Sequence, residues 1–265
     1  MNNYMSVAVN AAKEAGAMLL DNLGRLSPGE INTKMRFDFV TKMDIEAERM
    51  IVEKVRAAFP DHTFYAEESH RDEGGDFRWI IDPLDGTTNY IHAVPIFSVS
   101  IGLQIHGQLV LGVVYDPNRD ELFHAVKDGG AFLNQHKIKV STVEKLDVAL
   151  LATGYPFRVK HHLEVYQRSF NALFMQVSGI RRAGSAALDL CYVACGRFDG
   201  FWELDLRPWD IAAAQVILEE AGGMITDFSG GDQVLLTGNT IASNGIIHSK
   251  ITQDIKNVFS GIVDR

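Results

Sequence analysis

The stretch WIIDPLDGTTNYIH, residues 79–92, joins an apolar run to two acids and a turn. Its first residues are typical of a buried strand, yet Asp82 follows them and Asp85 comes only three residues later. Two carboxylates this close repel each other unless water or a cation separates them. Because Pro83 disfavours helix at Asp82, the two side chains can converge across a tight turn.

The residues after the acidic pair suit a phosphate. Gly86 permits close approach of the backbone to a ligand, and Thr87-Thr88-Asn89-Tyr90 is typical of the first turn of a short helix. Free N–H groups at such a turn attract anions. Carboxylates for a hard cation beside amides for a phosphate would serve a metal-bridged phosphate, although Asp-x-x-Asp alone is more often a structural cap or turn.

Further acids elsewhere in the chain could complete a cation site. Glu67 and Glu68 end the strand-like segment HTFYAEES, and they would meet the aspartate pair if the two strands are neighbours. Their alternative interpretation is an exposed acidic turn. Asp210, in Pro-Trp-Asp, falls in the first turn of a predicted helix, where its alternative role is to cap that helix.

Composition restricts the class of protein. With 25 basic and 34 acidic side chains the formal net charge is −9, which argues against a nucleic-acid platform. The two cysteines, Cys191 and Cys195, lie four residues apart in an apolar stretch, which favours reduced thiols and a cytoplasmic location. Because no signal-peptide pattern and no run of ~20 apolar residues occurs, we expect neither export nor membrane spanning.

The order of helical and strand-like segments predicts an α/β fold. Residues 1–143 contain two helices and then hairpin-connected strands, with one turn at 106–108. Residues 144–265 alternate helices and strands. We therefore expect a layered sandwich of two halves, with an antiparallel sheet in the first half and a mixed sheet in the second.

Two segments together carry a family resemblance. WIIDPLDGTTNYIH and PWDIAAAQVILEEAGG resemble the two signatures of the inositol monophosphatase family of Mg²⁺-dependent, lithium-sensitive phosphatases, in particular the bacterial inositol-1-monophosphatase type. The segments DFVTKMD, EES, GSAALDL and FDGFWE fall at the expected places. The resemblance implies an α-β-α-β-α sandwich forming a single catalytic unit. Residues 1–143 would supply the metal and phosphate site, and residues 144–265 the substrate side and the last metal ligand.

The resemblance implies a site for two to three Mg²⁺ ions. Glu67, Asp82 and the backbone carbonyl of Leu84 would hold one ion. Asp82, Asp85 and Asp210 would hold a second, with Asp82 bridging, and a third, weaker ion would lie near Glu67. Such oxygen ligands suit Mg²⁺, and two neighbouring ions can clamp the attacking and leaving oxygens of a phosphate ester.

The resemblance further implies direct hydrolysis by a metal-activated water. Thr87, positioned by Asp44, would orient the water, and Glu67 would help to take its proton. The amides of Gly86 and Thr87 would hold the phosphate oxygens.

The alcohol part of the substrate would contact positions on both halves of the chain: Asp85, Gly184, Ser185, Ala186 and Glu203. An acid that accepts hydrogen bonds from adjacent hydroxyls favours a polyol, so the expected reaction is hydrolysis of myo-inositol 1-phosphate to inositol and phosphate. The 2′-phosphate of NADP(H) and fructose 1,6-bisphosphate are alternative substrates for the same site. From a different class, a non-catalytic regulatory protein of the RNA machinery is the remaining alternative, which the intact set of acids disfavours.

One loop departs from the family pattern. A lysine and an aspartate are expected here on a mobile segment that closes over the metals. Lys34 and Asp38 are their counterparts, but the spacing is one residue short, so Arg36 or Lys42 could supply the charge instead. Residues 204–207, on the substrate side, are also variable among relatives. A homodimer and lithium inhibition are further expectations from the family.

Overall fold

The computed structural model describes residues 1–35, 38–69, 71–72 and 74–262, so Arg36 lies outside the described residues. Within them the α-helices are α1 Asn2–Asn22, α2 Lys42–Ala58, α3 Thr87–Ile91, α4 Leu163–Phe174, α5 Ala186–Ala194, α6 Pro208–Glu220, α7 Val234–Thr237 and α8 His248–Phe259. The strands are β1 Ile31–Met35, β2 Asp38–Thr41, β3 Thr63–Ala66, β4 Phe77–Asp85, β5 Ser98–Ile105, β6 Gln108–Asp116, β7 Glu121–Val126, β8 Gly130–Leu133, β9 His136–Lys137, β10 Leu150–Thr153, β11 Gly179–Arg181, β12 Gly200–Glu203, β13 Met224–Thr226 and β14 Thr240–Ser243.

The larger sheet has the strand order β3-β4-β5-β6-β7-β8-β9. Its strands pair antiparallel, as expected, apart from β3 and β4, which run parallel. This parallel pair is what positions the site, because two parallel strands bring their carboxyl ends to the same edge. The hairpin predicted at 106–108 joins β5 to β6. Helices α1 and α2 cover one face of the sheet, where α1 buries small residues such as Ala8, Ala12 and Ala15 at helical spacing.

The smaller sheet has the order β11-β10-β12-β14-β13 and mixes parallel and antiparallel pairs. Helices α5 and α6 lie between the two sheets, which explains why every residue of α5 is buried. A Cβ at Gly112 of β6 would lie 2.0 Å from the carbonyl oxygen of Ala213, so only glycine lets α6 pack this closely. Helices α4 and α8 pack together, and α8 packs on β14.

The layers therefore run α-β-α-β-α, which confirms the predicted architecture. The boundary proposed at 143/144 falls between β9 and β10, so each half contains one of the two large sheets. Helix α6 of the second half packs on β4, β5 and β6 of the first. That the two halves form a single catalytic unit stays a prediction. Across the described residues, none of the helices combines the length and the apolar character needed to cross a membrane.

Candidate active site

A bulge in β4 brings Asp82 and Asp85 to the same side of the sheet. Residues three apart in a regular strand point to opposite faces. Here Asp82 pairs with Ser100 and Asp85 with Ser98, so β4 takes three steps where β5 takes two. The extra residue restores a common direction for the two carboxylates. The strand thus continues to Asp85 rather than ending at Asp82 as the apolar run suggested.

Asp210 completes a compact group of three carboxylates. One oxygen of each of Asp82, Asp85 and Asp210 lies within 4.8 Å of the others, and all three residues are buried. The amide of Arg207 donates to Asp210 Oδ2 at 2.7 Å, so Asp210 also caps α6. Both sequence interpretations of Asp210, helix cap and cluster member, therefore hold at once.

Glu67 reaches the same edge from the end of β3. The turn that carries it is held by Glu48 of α2, whose carboxylate accepts hydrogen bonds from the amides of Glu68 at 2.6 Å and Ser69 at 2.9 Å. The side chains of Glu67 and Glu68 are only 9% and 7% exposed. The alternative of an exposed acidic turn is therefore wrong.

Lys34 pairs with this turn. Its Nζ lies 2.8 Å from Glu67 Oε1 and also contacts Glu68. Lys42 instead pairs with Glu30, with 3.5 Å between its Nζ and Glu30 Oε1, and its side chain is 65% exposed. Lys42 therefore does not take the place of Lys34 beside Glu67. Asp38 pairs with Arg158, whose Nε donates to Asp38 Oδ2 at 3.2 Å.

Thr87 and Asp44 form a hydrogen-bonded pair beside the cluster. Thr87 Oγ1 lies 2.9 Å from Asp44 Oδ1 and 3.1 Å from the carbonyl oxygen of Leu84. Asp44 is fixed in turn because its other oxygen accepts from the amide and hydroxyl of Thr41, at 2.8 and 2.6 Å. Burial raises the pKa of Asp44 to about 6. Thr41 and Asp44 form a capping box at the start of α2. The same contact orients the Asp44 carboxylate that accepts the hydrogen bond from Thr87.

Position 86 requires glycine, because its backbone conformation and its close neighbours leave no room for a side chain. Its φ of 101° lies in the left-handed region, and a Cβ there would come within 3.0 Å of the carbonyl oxygen of Ile96. The residue is the N-cap of α3. The chain can therefore reverse directly after Asp85 and place Thr87 over the cluster.

A cavity of about 310 Å³ joins these residues to the substrate side. Its wall includes the following predicted site residues: Asp38, Glu67, Asp82, Leu84, Asp85, Gly86, Thr87, Gly184, Ala186, Glu203 and Asp210. Ser185 differs from this set. It is 1% exposed, and its hydroxyl donates to Asp85 Oδ2 at 2.5 Å, so it positions Asp85.

Glu203 ends β12 at the far side of the cavity. A Cβ at residue 154 would lie 1.9 Å from Glu203 Oε1, so Gly154 leaves the room that this carboxylate occupies. Burial raises the pKa of Glu203 to about 8, while the charge of Arg182 opposes that rise. At neutral pH the group therefore holds a proton in the folded chain, unless a ligand or cation changes its surroundings.

Three functional candidates were not found from the sequence. Glu48 holds the turn that carries Glu67, Arg158 lies 3.9 Å from Asp210 while it pairs with Asp38, and Asp189 lines the cavity. Glu48 and Arg158 stand in no recognised motif, so only tertiary proximity reveals them. Asp189 lies within GSAALDL, but the sequence assigned it no role there. The position of Asp189 four residues after Ser185, on the predicted helix, was the one available signal for that residue.

The electrostatics of the three aspartates fit a divalent cation. Burial raises the pKa of Asp82, Asp85 and Asp210, and repulsion from neighbouring carboxylates, including Glu67, raises each of them further. Arg158 opposes the rise at Asp210. A buried cluster of this kind is costly to ionise unless a cation neutralises it. Because all the donors are hard oxygens, Mg²⁺ suits the set.

These raised pKa values predict how stability depends on pH. Between pH 6.5 and 8 the folded chain, without metal, holds a proton at Glu203 that the unfolded chain has lost, because the ordinary pKa is 4.5. Stability therefore falls as pH rises. The three aspartates act in the same direction. His248, whose pKa burial lowers from 6.5 to about 4, acts in the opposite direction, and most of its effect lies below this window.

Thermal unfolding in chelator at pH 6.5 and 8 measures this effect. We expect a lower Tm at pH 8 that Mg²⁺ restores. In a chain of this size, each kcal/mol lost from the free energy of unfolding should lower Tm by roughly 2–4 °C. Glu203→Gln should make the dependence shallower because it removes one titrating group. An equal or higher Tm at pH 8 in chelator would contradict the assignment.

Known proteins match this chain over almost all of its length. The model of the inositol monophosphatase family matches residues 1–260. The chain is 43% identical to Nus factor SuhB of Escherichia coli K12, over 100% of both proteins. The structure of extragenic suppressor protein suhB from Bartonella henselae superimposes with a TM-score of 0.92 at 41% identity, covering 98% of this chain and 100% of that one. Inositol monophosphatase from Anabaena gives a TM-score of 0.86 at 39% identity, with 97% and 96% covered. The chain therefore belongs to the inositol monophosphatase family of phosphatases.

Proposed function

We propose that the protein is a Mg²⁺-dependent phosphomonoesterase that hydrolyses inositol monophosphate to inositol and phosphate. The observation that carries this proposal is the buried group formed by Asp82, Asp85 and Asp210, whose oxygens lie within 4.8 Å of one another. The group lies in one cavity with Thr87 and, at the far side, Glu203. A cation site is thus joined to a pocket that accepts hydroxyl groups.

The proposed ligand sets follow from this arrangement. Glu67, Asp82 and the carbonyl of Leu84 would hold one ion, and Asp82, Asp85 and Asp210 a second, with a third and weaker ion near Glu67. When bound, Mg²⁺ would activate water and neutralise charge on the phosphate and the leaving oxygen. Lys34, which now pairs with Glu67 at 2.8 Å, would share that carboxylate with the cation.

The chain's own groups would orient the reactants. Thr87 would present its hydroxyl to the attacking water, held in place by the 2.9 Å hydrogen bond to Asp44. Glu67, at the edge of the cavity, would take the proton of that water. The amides of Gly86 and Thr87, which both line the cavity, would donate to the phosphate oxygens.

The alcohol would bind on the opposite wall. Asp85, Gly184, Ala186 and Glu203 line that wall, and Ser185 would act by holding Asp85. Buried carboxylates beside a phosphate site favour a hydroxyl-rich alcohol over an alkyl group. The name of the Anabaena relative agrees with inositol monophosphate, and NADP(H) and fructose 1,6-bisphosphate remain alternative substrates for the same metal site.

A regulatory role is the second candidate, because the Escherichia coli relative, 43% identical over its full length, is named a Nus factor. A role of that kind would come in addition to catalysis, since the acids of the site are all present. The net charge of −9 weighs against direct contact with nucleic acid. A cytoplasmic location, a homodimer and lithium inhibition also stay predictions.

A substrate panel tests the proposed reaction. Phosphate release is measured from myo-inositol 1-phosphate, NADP and fructose 1,6-bisphosphate at saturating Mg²⁺ and in chelator. We expect the highest kcat/KM for inositol 1-phosphate and no release in chelator. A higher kcat/KM for NADP or for fructose 1,6-bisphosphate would make that ester the proposed substrate. The absence of Mg²⁺-dependent phosphate release from all three esters would overturn the proposed phosphatase function.

A further inference from the structure

Asp189 lies where the metal side of the cavity meets the substrate side. It belongs to α5, whose start is fixed to Asp85 because Asp85 Oδ2 accepts from Ser185 Oγ at 2.5 Å and from the amide of Ala187 at 2.8 Å. One helical turn further on, Asp189 lines the same cavity as Glu203. Its backbone is therefore held at a fixed distance from the proposed metal ligand.

The carboxylate of Asp189 is unusual among the buried aspartates. The residue is 1% exposed, and its Oδ1 is buried with no hydrogen-bond partner in the part of the chain that the structure describes. Two other buried aspartates each accept at least two hydrogen bonds. Asp199 accepts from the hydroxyl of Ser141 and the amide of Leu150, and Asp227 accepts from the hydroxyl of Ser229 and the amide of Gly231. Leaving a buried acceptor unpaired is unfavourable, so this oxygen suits a hydrogen-bond donor from outside the chain.

The surroundings of Asp189 define the chemistry of that partner. Burial and the neighbouring acids Glu203 and Asp85 raise the pKa of Asp189, and the positive charge of Arg182 opposes part of that rise. Gly154 keeps space open in front of the Glu203 carboxylate. A wall with two carboxylic acids offers hydrogen-bond acceptors in excess, so it fits a ligand that brings several hydroxyl donors. A phosphate or an apolar group would leave these acceptors unpaired.

We propose that Asp189 determines specificity by accepting a hydrogen bond from a hydroxyl of the alcohol, one that Glu203 does not bind. Together the two acids select phosphates of cyclic polyols over aryl and simple alkyl phosphates. This inference rests on the proposed function, since it names the class of alcohol that the same site takes. Asp189 acts on binding of the alcohol and leaves the phosphate chemistry to the other wall.

Two variants of Asp189 test the proposal. In Asp189→Leu and Asp189→Ala, which both remove the acceptor oxygens, we expect the KM for myo-inositol 1-phosphate to rise about tenfold or more, equivalent to ~1.4 kcal/mol. The kinetic constants for p-nitrophenyl phosphate, which has no further hydroxyl, should change less than about twofold. A parallel loss with both esters would show a structural role acting through α5, and unchanged constants for both would show no role. Either result overturns the proposal.

Folding and the proposed reaction are checked separately. Because Oδ1 has no hydrogen-bond partner among the described residues, Asp189→Leu should keep the Tm of the wild type, whereas Asp199→Asn should lower it. If the wild type releases phosphate from neither ester, the proposed function fails. The subsite, meaning the position beside Asp189 where a hydroxyl of the alcohol would bind, is then tested by ligand-observed NMR of free myo-inositol with Mg²⁺ and phosphate. Binding to the wild type that is lost in Asp189→Leu supports the subsite, and equal binding to both, or none to the wild type, overturns it.

Discussion

Asp82→Asn should abolish turnover and leave the protein folded. Asp82 is the centre of the proposed site, since Glu67, Asp85 and Asp210 all act on its charge. The asparagine keeps an acceptor for the amide of Leu84, now 3.0 Å from Asp82 Oδ1. It loses the negative charge that two cations would share. We expect kcat/KM to fall at least roughly a thousandfold, or ~4 kcal/mol of barrier.

The stability of this variant separates function from folding. Removing one of three crowded buried charges relieves repulsion, so Tm in chelator should stay equal or rise. Asp199→Asn is the matched control, because Asp199 is buried and holds the hydroxyl of Ser141 at 2.6 Å and the amide of Leu150 at 2.7 Å, outside the cavity wall. It should lower Tm and keep kcat. Wild-type kcat/KM in Asp82→Asn would refute the metal assignment.

Thr87→Val should lower kcat strongly without weakening metal binding. The valine keeps the shape of the side chain and removes the hydroxyl that lies 2.9 Å from Asp44. If this hydroxyl orients the attacking water, kcat should fall roughly 10²–10⁴-fold, as for loss of a positioned proton-transfer group. KM should change little, because the valine keeps the backbone amide that would hold the phosphate and the alcohol is held by other residues.

Calorimetric titration of Mg²⁺ distinguishes this variant from Asp82→Asn. Thr87→Val should bind Mg²⁺ like the wild type, whereas Asp82→Asn should bind it weakly. Thr87→Ser retains the hydroxyl and should recover kcat to within about tenfold of the wild type. A Thr87→Val enzyme with kcat close to that of the wild type would show that the pair with Asp44 is structural.

The fold was accessible from the sequence because local patterns encode it, and the centre of the site was accessible through the family resemblance of two segments. The apolar runs of β4, β5 and β6, the small residues of α1 and the capping box at Thr41 each act over a few residues. The bulge in β4 was not predicted, since it depends on pairing with Ser98 and Ser100 of another strand. The motif nevertheless implied its result, two converging carboxylates.

Residues that act through tertiary contacts were not accessible in this way. Glu48 supports Glu67 across a separation of about twenty residues, and Arg158 reaches Asp38 across 120. Their side chains look like ordinary helix and loop charges in the sequence. Ser185 was predicted on the substrate side. Only the folded structure shows that its hydroxyl donates a hydrogen bond to Asp85.

The most direct test of the account is phosphate release from myo-inositol 1-phosphate during a Mg²⁺ titration of metal-stripped protein. The carboxylate group of Asp82, Asp85 and Asp210 predicts no release without metal and a saturable rise in rate as Mg²⁺ is added. Asp82→Asn should stay inactive over the same range. Release at an undiminished rate in chelator, or none at any Mg²⁺ concentration, would contradict the central claim that this cluster is a magnesium-dependent phosphatase centre.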